Sequence, residues 1–218
     1  ELVDDVQVSN GSALLNGVHY DVALTGSGSA SDPYILTNTP QTASVTLTKT
    51  VEVDKNTDNI FPAGKTYTLQ VALNGGTLNL NSTGVTVEIT GTGSYGADTV
   101  TLANGASAKI TAPKGIGIDV AEDMNGAEVA GFDFPAVAYN VDGRAVPVAQ
   151  AVVGTNETMK VVNTYTRSVA SLNIAKASDE ASPVGADAAF TMNVHVDGAA
   201  GSYTANGGNV LFNESGNA

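Results

Sequence analysis

Three polar residues, Lys49, Glu122 and Asn163, each interrupt an apolar row in a different segment of the 218-residue chain. A lysine that loses its proton on burial is a nucleophile. An asparagine carboxamide is an acyl group with a nitrogen leaving group, and a protonated carboxyl can polarise it and pass a proton to the departing ammonia. If the three side chains meet, the expected product is an isopeptide bond between Lys49 and Asn163. Glu122 is then the catalyst, in a reaction that occurs once and never turns over.

The segments that must position these residues alternate with a period of two, which is typical of half-buried strands. Asp119 and Asp123 flank Glu122. Because alternate residues of a strand point to opposite faces, only Glu122 of these three acidic residues falls on the apolar face. The apolar residues that share a face with Lys49, Glu122 or Asn163 are Val45, Leu47, Val51, Val53, Ile116, Ile118, Val120, Met159, Val161 and Tyr165.

A second interpretation of the same three residues involves no reaction. Lys49 and Glu122 could form a buried ion pair, with Asn163 completing their hydrogen bonds. The residue types and their parity fit both interpretations, so the choice stays open at this point.

The order of strand-like segments predicts an all-β fold in three parts. Residues 41–167 carry a strand about every ten positions, which indicates a sandwich. Residues 1–40 form a strand segment that belongs either to this domain or to a neighbour. Residues 168–218 begin the pattern again, because Ser171–Lys176 echoes Ser44–Lys49, and they stop halfway. We expect residues 131–146 to form a long loop.

Composition excludes several classes of function. The net charge is −13 with only 9 Lys and Arg residues, which argues against nucleic acid as a partner. No segment approaches the roughly 20 apolar residues of a membrane-spanning helix. The chain has no cysteine, so an exported β domain of this sequence needs a good core or another covalent link. We expect no cofactor.

The remaining motifs are weak. Residues 54–59 begin like a calcium loop, but Asn59 and Lys65 occupy the positions where such a loop needs glycine and glutamate, so we expect a solvated turn. His19 and His195 are the only histidines and lie far apart in sequence. We expect both at the surface, with no metal site and no catalytic triad.

Four motifs around these residues occur in an order that carries a family resemblance. They are Thr48-Lys49-Thr50, Leu102-x-x-Gly105, Val120-Ala121-Glu122 and Val161-x-Asn163-x-Tyr165. Residues 43–166 thereby resemble the isopeptide-forming modules of Gram-positive pilins and adhesins, the Cna B-type group and its pilin-linkage relatives. The resemblance implies an Ig-like (Cna B-type) β-sandwich followed by a partial second β domain. It also implies that Lys49, Glu122 and Asn163 are the reacting set, with Lys176 as the matching lysine of the second copy.

The function expected from this resemblance is structural. The chain would be a pilin subunit or an adhesin stalk at the bacterial cell surface, assembled with copies of itself or with fellow pilus subunits. Two alternatives remain open. One is an adhesin domain that binds a host glycan or protein through loops such as residues 131–146. The other is a fibre subunit that assembles by strand exchange through residues 168–218.

Overall fold

The computed structural model describes residues 2–3, 6–7, 11–53, 61–168, 193–195, 201–205 and 208–212. The chain divides into two compact units, one of Glu1–Val53 with Pro62–Thr166 and one of Asp54–Phe61 with Arg167–Ala218. Lys176 and the calcium-like residues 54–59 lie outside the described residues.

The prediction of an all-β fold is confirmed. The described residues form strands and no α-helix, with one short 3-10 turn at Asn74–Gly76. In chain order the strands are β1 (Leu2–Val3), β2 (Val6–Gln7), β3 (Ser12–Leu15), β4 (Val18–Thr25), β5 (Ile35–Pro40), β6 (Thr42–Val53), β7 (Thr66–Leu73), β8 (Thr86–Thr90), β9 (Gly93–Tyr95), β10 (Thr99–Ala103), β11 (Ser107–Pro113), β12 (Gly117–Glu122), β13 (Ala136–Val141), β14 (Arg144–Val146), β15 (Ala149–Val152), β16 (Thr158–Tyr165), β17 (Gly201–Ala205) and β18 (Gly208–Phe212).

Two sheets of the first unit enclose one apolar core. A five-stranded sheet has the order β15-β12-β7-β10-β9, and a six-stranded sheet has the order β14-β13-β16-β6-β11-β8. β6 and β16 are parallel, whereas the other neighbours in both sheets are antiparallel. Both sheets contribute to the same cluster of buried residues, Leu47 and Val161 from one and Leu69 and Val120 from the other. This arrangement is a β-sandwich.

Alternation of side chains explains why these segments are strands. On β7, Tyr67, Leu69, Val71 and Leu73 are buried while the residues between them are partly or fully exposed. A strand with one face in a core requires this pattern, since successive side chains point to opposite faces. The segments β7 and β12 begin and end where the alternation places them.

The loop expected at residues 131–146 is a wrong prediction. Ala136–Val141 is a strand that pairs with β16, and Arg144–Val146 folds back on it around Asp142 and Gly143, which both have positive φ. The alternation of Val137, Tyr139 and Val141 was the available signal, and Asp-Gly is a common hairpin turn. Only the part before residue 136 is irregular, so the binding alternative that relied on a long loop loses most of that loop.

The segment before the sandwich forms a three-stranded sheet, β3-β4-β5. Asn16 and Gly17, with φ of 50° and 81°, connect β3 to β4 in the hairpin turn that Asn-Gly predicts. A backbone hydrogen bond joins this sheet to the sandwich: His19 N, on β4, donates to Lys114 O at 3.0 Å.

The described strands of the second unit are β17 and β18, which pair as an antiparallel hairpin from Gly201–Phe212 to Ala205–Gly208. Within the described parts of the chain, no helix has the length and apolar character needed to cross a bilayer.

Candidate functional site

Two neighbouring parallel strands and the opposite sheet supply the three residues singled out in the sequence. Lys49 lies on β6, paired with Val161, and Asn163 lies on β16, paired with Val51. Paired positions share a face, so the lysine and the asparagine both point into the core. Glu122 is the last residue of β12 in the facing sheet, where it pairs with Leu69. The fold therefore brings together residues that are 41 to 114 positions apart.

The three side chains form a closed triangle of contacts. Lys49 Nζ donates to Glu122 Oε2 at 2.6 Å and to Asn163 Oδ1 at 2.5 Å. Asn163 Nδ2 donates to Glu122 Oε1 at 2.6 Å. Each side chain thus contacts the other two, and both oxygens of the carboxyl group are used.

Burial of this triangle is complete. Lys49 and Asn163 have no exposed surface, and neither does the side chain of Glu122. Desolvation lowers the pKa of Lys49, and it outweighs the hydrogen bond and the charge of Glu122, which act in the opposite direction. Removal of water therefore favours the neutral amine, which is the nucleophilic form of lysine.

The neighbouring acidic residues take no part in the triangle. Asp119 is half-buried on the other face of β12. Asp123 follows the strand, and its side chain accepts a hydrogen bond from Asn125 N at 3.0 Å. Strand parity in the sequence was therefore sufficient to separate Glu122 from its neighbours.

Three aromatic residues form a wall beside the triangle, and Tyr67 contacts Lys49 directly. The ring centroid of Tyr67 is 4.6 Å from Lys49 Nζ, and its ring lies 6.5 Å from that of Tyr165. Phe132 meets Tyr165 edge to face at 6.1 Å. Burial raises the pKa of Tyr67 and of Tyr165, so both phenols stay neutral. Sequence reasoning did not assign Tyr67 to the site, although its place on the apolar face of β7 was a usable signal.

A metal site finds no support in the described part of the chain, where no three His, Cys, Asp or Glu side chains are grouped to hold an ion. His19 is half-buried in the N-terminal sheet, contrary to the surface position we expected, and His195 is exposed. The chemistry available at the triangle is therefore that of an amine, a carboxyl group and a carboxamide.

A β-sandwich with a sealed amine, carboxyl group and carboxamide defines the class of protein to which the chain can be compared. Among solved structures it is similar to a pilus-presented adhesin, at 20% identity and a TM-score of 0.36, over 58% of this chain and 28% of that one. It is similar to a bacterial adhesin from Mobiluncus mulieris that contains intramolecular disulfide, isopeptide and ester bond cross-links, at 19% identity and a TM-score of 0.40, over 66% of this chain and 47% of that one. A third is the major pilin from Streptococcus pyogenes, at 16% identity and a TM-score of 0.40, over 77% of this chain and 67% of that one.

These structures belong to the class of protein that the sequence resembles, and the chain spans less than half the length of the two adhesins. No protein-family model matches the chain, and neither does any curated protein.

Proposed function

We propose that this chain is a structural cell-surface protein, a pilin subunit or adhesin stalk, whose main domain is locked by an isopeptide bond between Lys49 and Asn163. The observation that carries the proposal is the sealed triangle, in which an amine with a lowered pKa contacts a carboxamide and a carboxyl group. The proposed reaction occurs once in each chain, because it consumes the protein's own side chains.

The reaction begins with transfer of a proton from Lys49 Nζ to Glu122 Oε2 across their 2.6 Å contact. The neutral amine attacks Cγ of Asn163, forming the new C–N bond and moving the π electrons of the carbonyl onto Oδ1. When the carbonyl re-forms, the bond from Cγ to Nδ2 breaks. Glu122 gives the proton it took from Lys49 to Nδ2, which its Oε1 contacts at 2.6 Å, and then takes the second proton from Nζ, so that Nδ2 leaves as ammonia and Glu122 ends protonated.

The geometry also explains why Glu122 suits the role of proton relay. Its two oxygens contact different partners, one the attacking amine and the other the leaving nitrogen. One carboxyl group can therefore take a proton on one side and deliver one on the other without a change of rotamer.

The bond would have a mechanical role. Lys49 is on the first strand of the sandwich and Asn163 on the last, and the two strands are parallel neighbours. Tension applied before β6 and after β16 would pass through the cross-link, and the residues between Lys49 and Asn163 would carry no load. Closing a loop of this size stabilises a fold by roughly 4–5 kcal/mol in the chain-entropy model used for disulfides.

This function fits an extracellular position at a bacterial surface, with copies of the chain or fellow pilus subunits as partners. In this proposal residues 41–167 are the cross-linked domain, residues 1–40 precede it, and residues 168–218 are the first half of a second domain with Lys176 as its lysine. The acidic surface, with a net charge of −13, keeps such a protein soluble.

Intact-mass measurement under denaturing conditions tests the bond. The protein should be lighter than its calculated mass by one ammonia, and the Lys49→Ala variant should have its full calculated mass. Lys109→Ala is the matched control, because Lys109 is an exposed lysine on the same sheet and should leave the loss of ammonia unchanged. A wild-type chain of full calculated mass would refute the cross-link and leave the buried ion pair.

A further inference from the structure

The segment that follows Glu122 contacts Tyr165, a neighbour of the triangle, without forming a helix or strand. This segment, residues 123–132, is here called the cover. Three of its side chains, Ala127, Val129 and Phe132, are buried, whereas Glu128 between them is exposed. The cover therefore adds apolar side chains beside the site, and backbone hydrogen bonds tie its two ends: Asp123 N donates to Thr68 O at 2.9 Å, and Asp133 N, just beyond the cover, donates to Thr166 O at 2.8 Å.

Two side chains from the sandwich hold the cover by its backbone. Tyr165 Oη donates to Ala127 O at 2.6 Å in a buried contact. Lys65 Nζ donates to Gly126 O at 2.6 Å and to Glu128 O at 3.4 Å. These three consecutive carbonyls have no strand partner, so the two side chains supply hydrogen bonds that a sheet would otherwise provide.

Both side chains also contact the aromatic wall of the site. The ring of Tyr67 has Lys49 Nζ 4.6 Å from its centroid and Lys65 Nζ 5.6 Å from it. The ring of Tyr165 packs between Tyr67 and Phe132, and Phe132 is itself part of the cover. Release of the cover would therefore remove Phe132 from the wall and admit water next to the reacting amine.

Resting on the proposed function, we infer that closure of the cover by Tyr165 and Lys65 is the step that makes the Lys49–Glu122–Asn163 triangle reactive. Proton transfer from the lysine to the glutamate produces a neutral pair, and only a dry site favours a neutral pair over an ion pair. Tyr165 and Lys65 are thus positioning residues that hold the cover; Tyr165 also lies within hydrogen-bond reach of Asn163, so Lys65 is the residue that tests the cover by itself.

The groups that face Lys49 determine how the rate depends on pH. Within the described residues these are Glu122 across the core, Tyr67 and Tyr165 in the wall, Lys65 behind the Tyr67 ring and Glu128 on the outer side of the cover. The phenols stay neutral because burial raises their pKa. Burial lowers the pKa of Lys49, so entry of water should raise it towards the ordinary value of 10.5.

The test follows formation of the bond in time. The full chain is collected unfolded in denaturant, diluted into buffers over a range of pH, quenched at intervals, and measured by intact mass. For Tyr165→Phe and for Lys65→Met we expect a rate about fivefold below that of the wild type, the equivalent of roughly 1 kcal/mol for one hydrogen bond. The alkaline limit, which is the high pH at which the rate of bond formation falls, should also lie at a higher pH in both variants than in the wild type. Tyr95→Phe and Lys109→Met, at exposed positions, are matched controls and should behave as the wild type.

The outcomes are distinguishable. A wild-type chain that never loses ammonia refutes the proposed function itself. A wild type that reacts, with both variants reacting at its rate and with its pH profile, overturns the inference about the cover. Slower reaction with an unmoved alkaline limit also overturns it, because loss of folded protein lowers the rate without changing the pKa of Lys49. If Tyr165→Phe does not fold, Lys65→Met alone decides, since its side chain lies at the rim of the core.

Discussion

Lys49 Nζ lies 2.6 Å from Glu122 Oε2 although the two residues belong to opposite sheets of the sandwich. Lys49 and Asn163 are on neighbouring strands of one sheet, so they could approach each other before the sandwich forms. The glutamate reaches them only when the second sheet packs on the first. The proposed bond should therefore follow folding and preserve the folded state, without directing the chain towards it.

Glu122→Gln should prevent the bond while keeping the shape of the side chain. A glutamine cannot accept the proton of Lys49, so we expect the full calculated mass and a loss of stability of at least roughly 4–5 kcal/mol, the value for the lost cross-link. Intact mass and denaturant unfolding measure the two effects. Glu88→Gln is the control, because Glu88 forms an exposed ion pair with Lys109 at 3.8 Å, and such pairs contribute little. Full loss of ammonia in Glu122→Gln would contradict the role of proton relay.

Single-molecule stretching should show that the sandwich does not extend. With tension applied through residues 42 and 166, the wild type should lengthen only by the few residues outside the cross-link. The Lys49→Ala variant should unfold and release the full length of the chain between the attachment points. The contour-length increment is the measurement, and a wild-type increment equal to that of Lys49→Ala would exclude a bond between β6 and β16.

Asp142 should contribute to stability in a way that depends on pH. Its carboxylate accepts hydrogen bonds from Asn156 Nδ2 and from the backbone of Thr158 and Glu157, and these lower its pKa from 3.8 to about 2. Because the folded pKa is the lower one, the contribution is fully present above the unfolded value of 3.8 and is lost as the pH falls towards about 2.

Asp142→Asn is the matched variant for this prediction, because asparagine tolerates the φ of 48° found at this position. Melting temperatures measured over acidic pH should fall less steeply for the variant than for the wild type between these two values. Parallel curves over that interval would show that the carboxylate has no depressed pKa in the folded state.

Gly115→Ala should loosen the N-terminal sheet from the sandwich. A Cβ at Gly115 would lie 1.8 Å from Gly17 O, and the φ of 102° adds backbone strain. Gly143 also has a positive φ, 78°, but open space around a Cβ, so Gly143→Ala reports the strain alone, roughly 1–2 kcal/mol. Limited proteolysis should cut residues 11–40 faster in Gly115→Ala than in Gly143→Ala. Equal rates would mean that the contact at Gly17 does not hold the sheet in place.

How far the sequence could predict the structure depended on the side chains of each segment. β7 and β12 were predictable because their alternating residues pack on one core, and Glu122 was separated from Asp119 by parity alone. The strand at Ala136–Val141 was missed because two of its six residues are alanines and the segment before it is irregular. The cover was not predictable, since its contacts with Tyr165 and Lys65 are between backbone carbonyls and distant side chains.

By itself the sequence determined that Lys49, Glu122 and Asn163 face a core, since the period of two along each strand depends only on local residue types. It could not determine whether the three meet, because nothing local specifies that β6 lies parallel to β16 or that β12 lies opposite them. Only packing of the two sheets brought the amine, the carboxyl group and the carboxamide within hydrogen-bond distance and excluded water from them. The reactivity that we propose for the site therefore depends on the tertiary structure, because desolvation is a property of the assembled core.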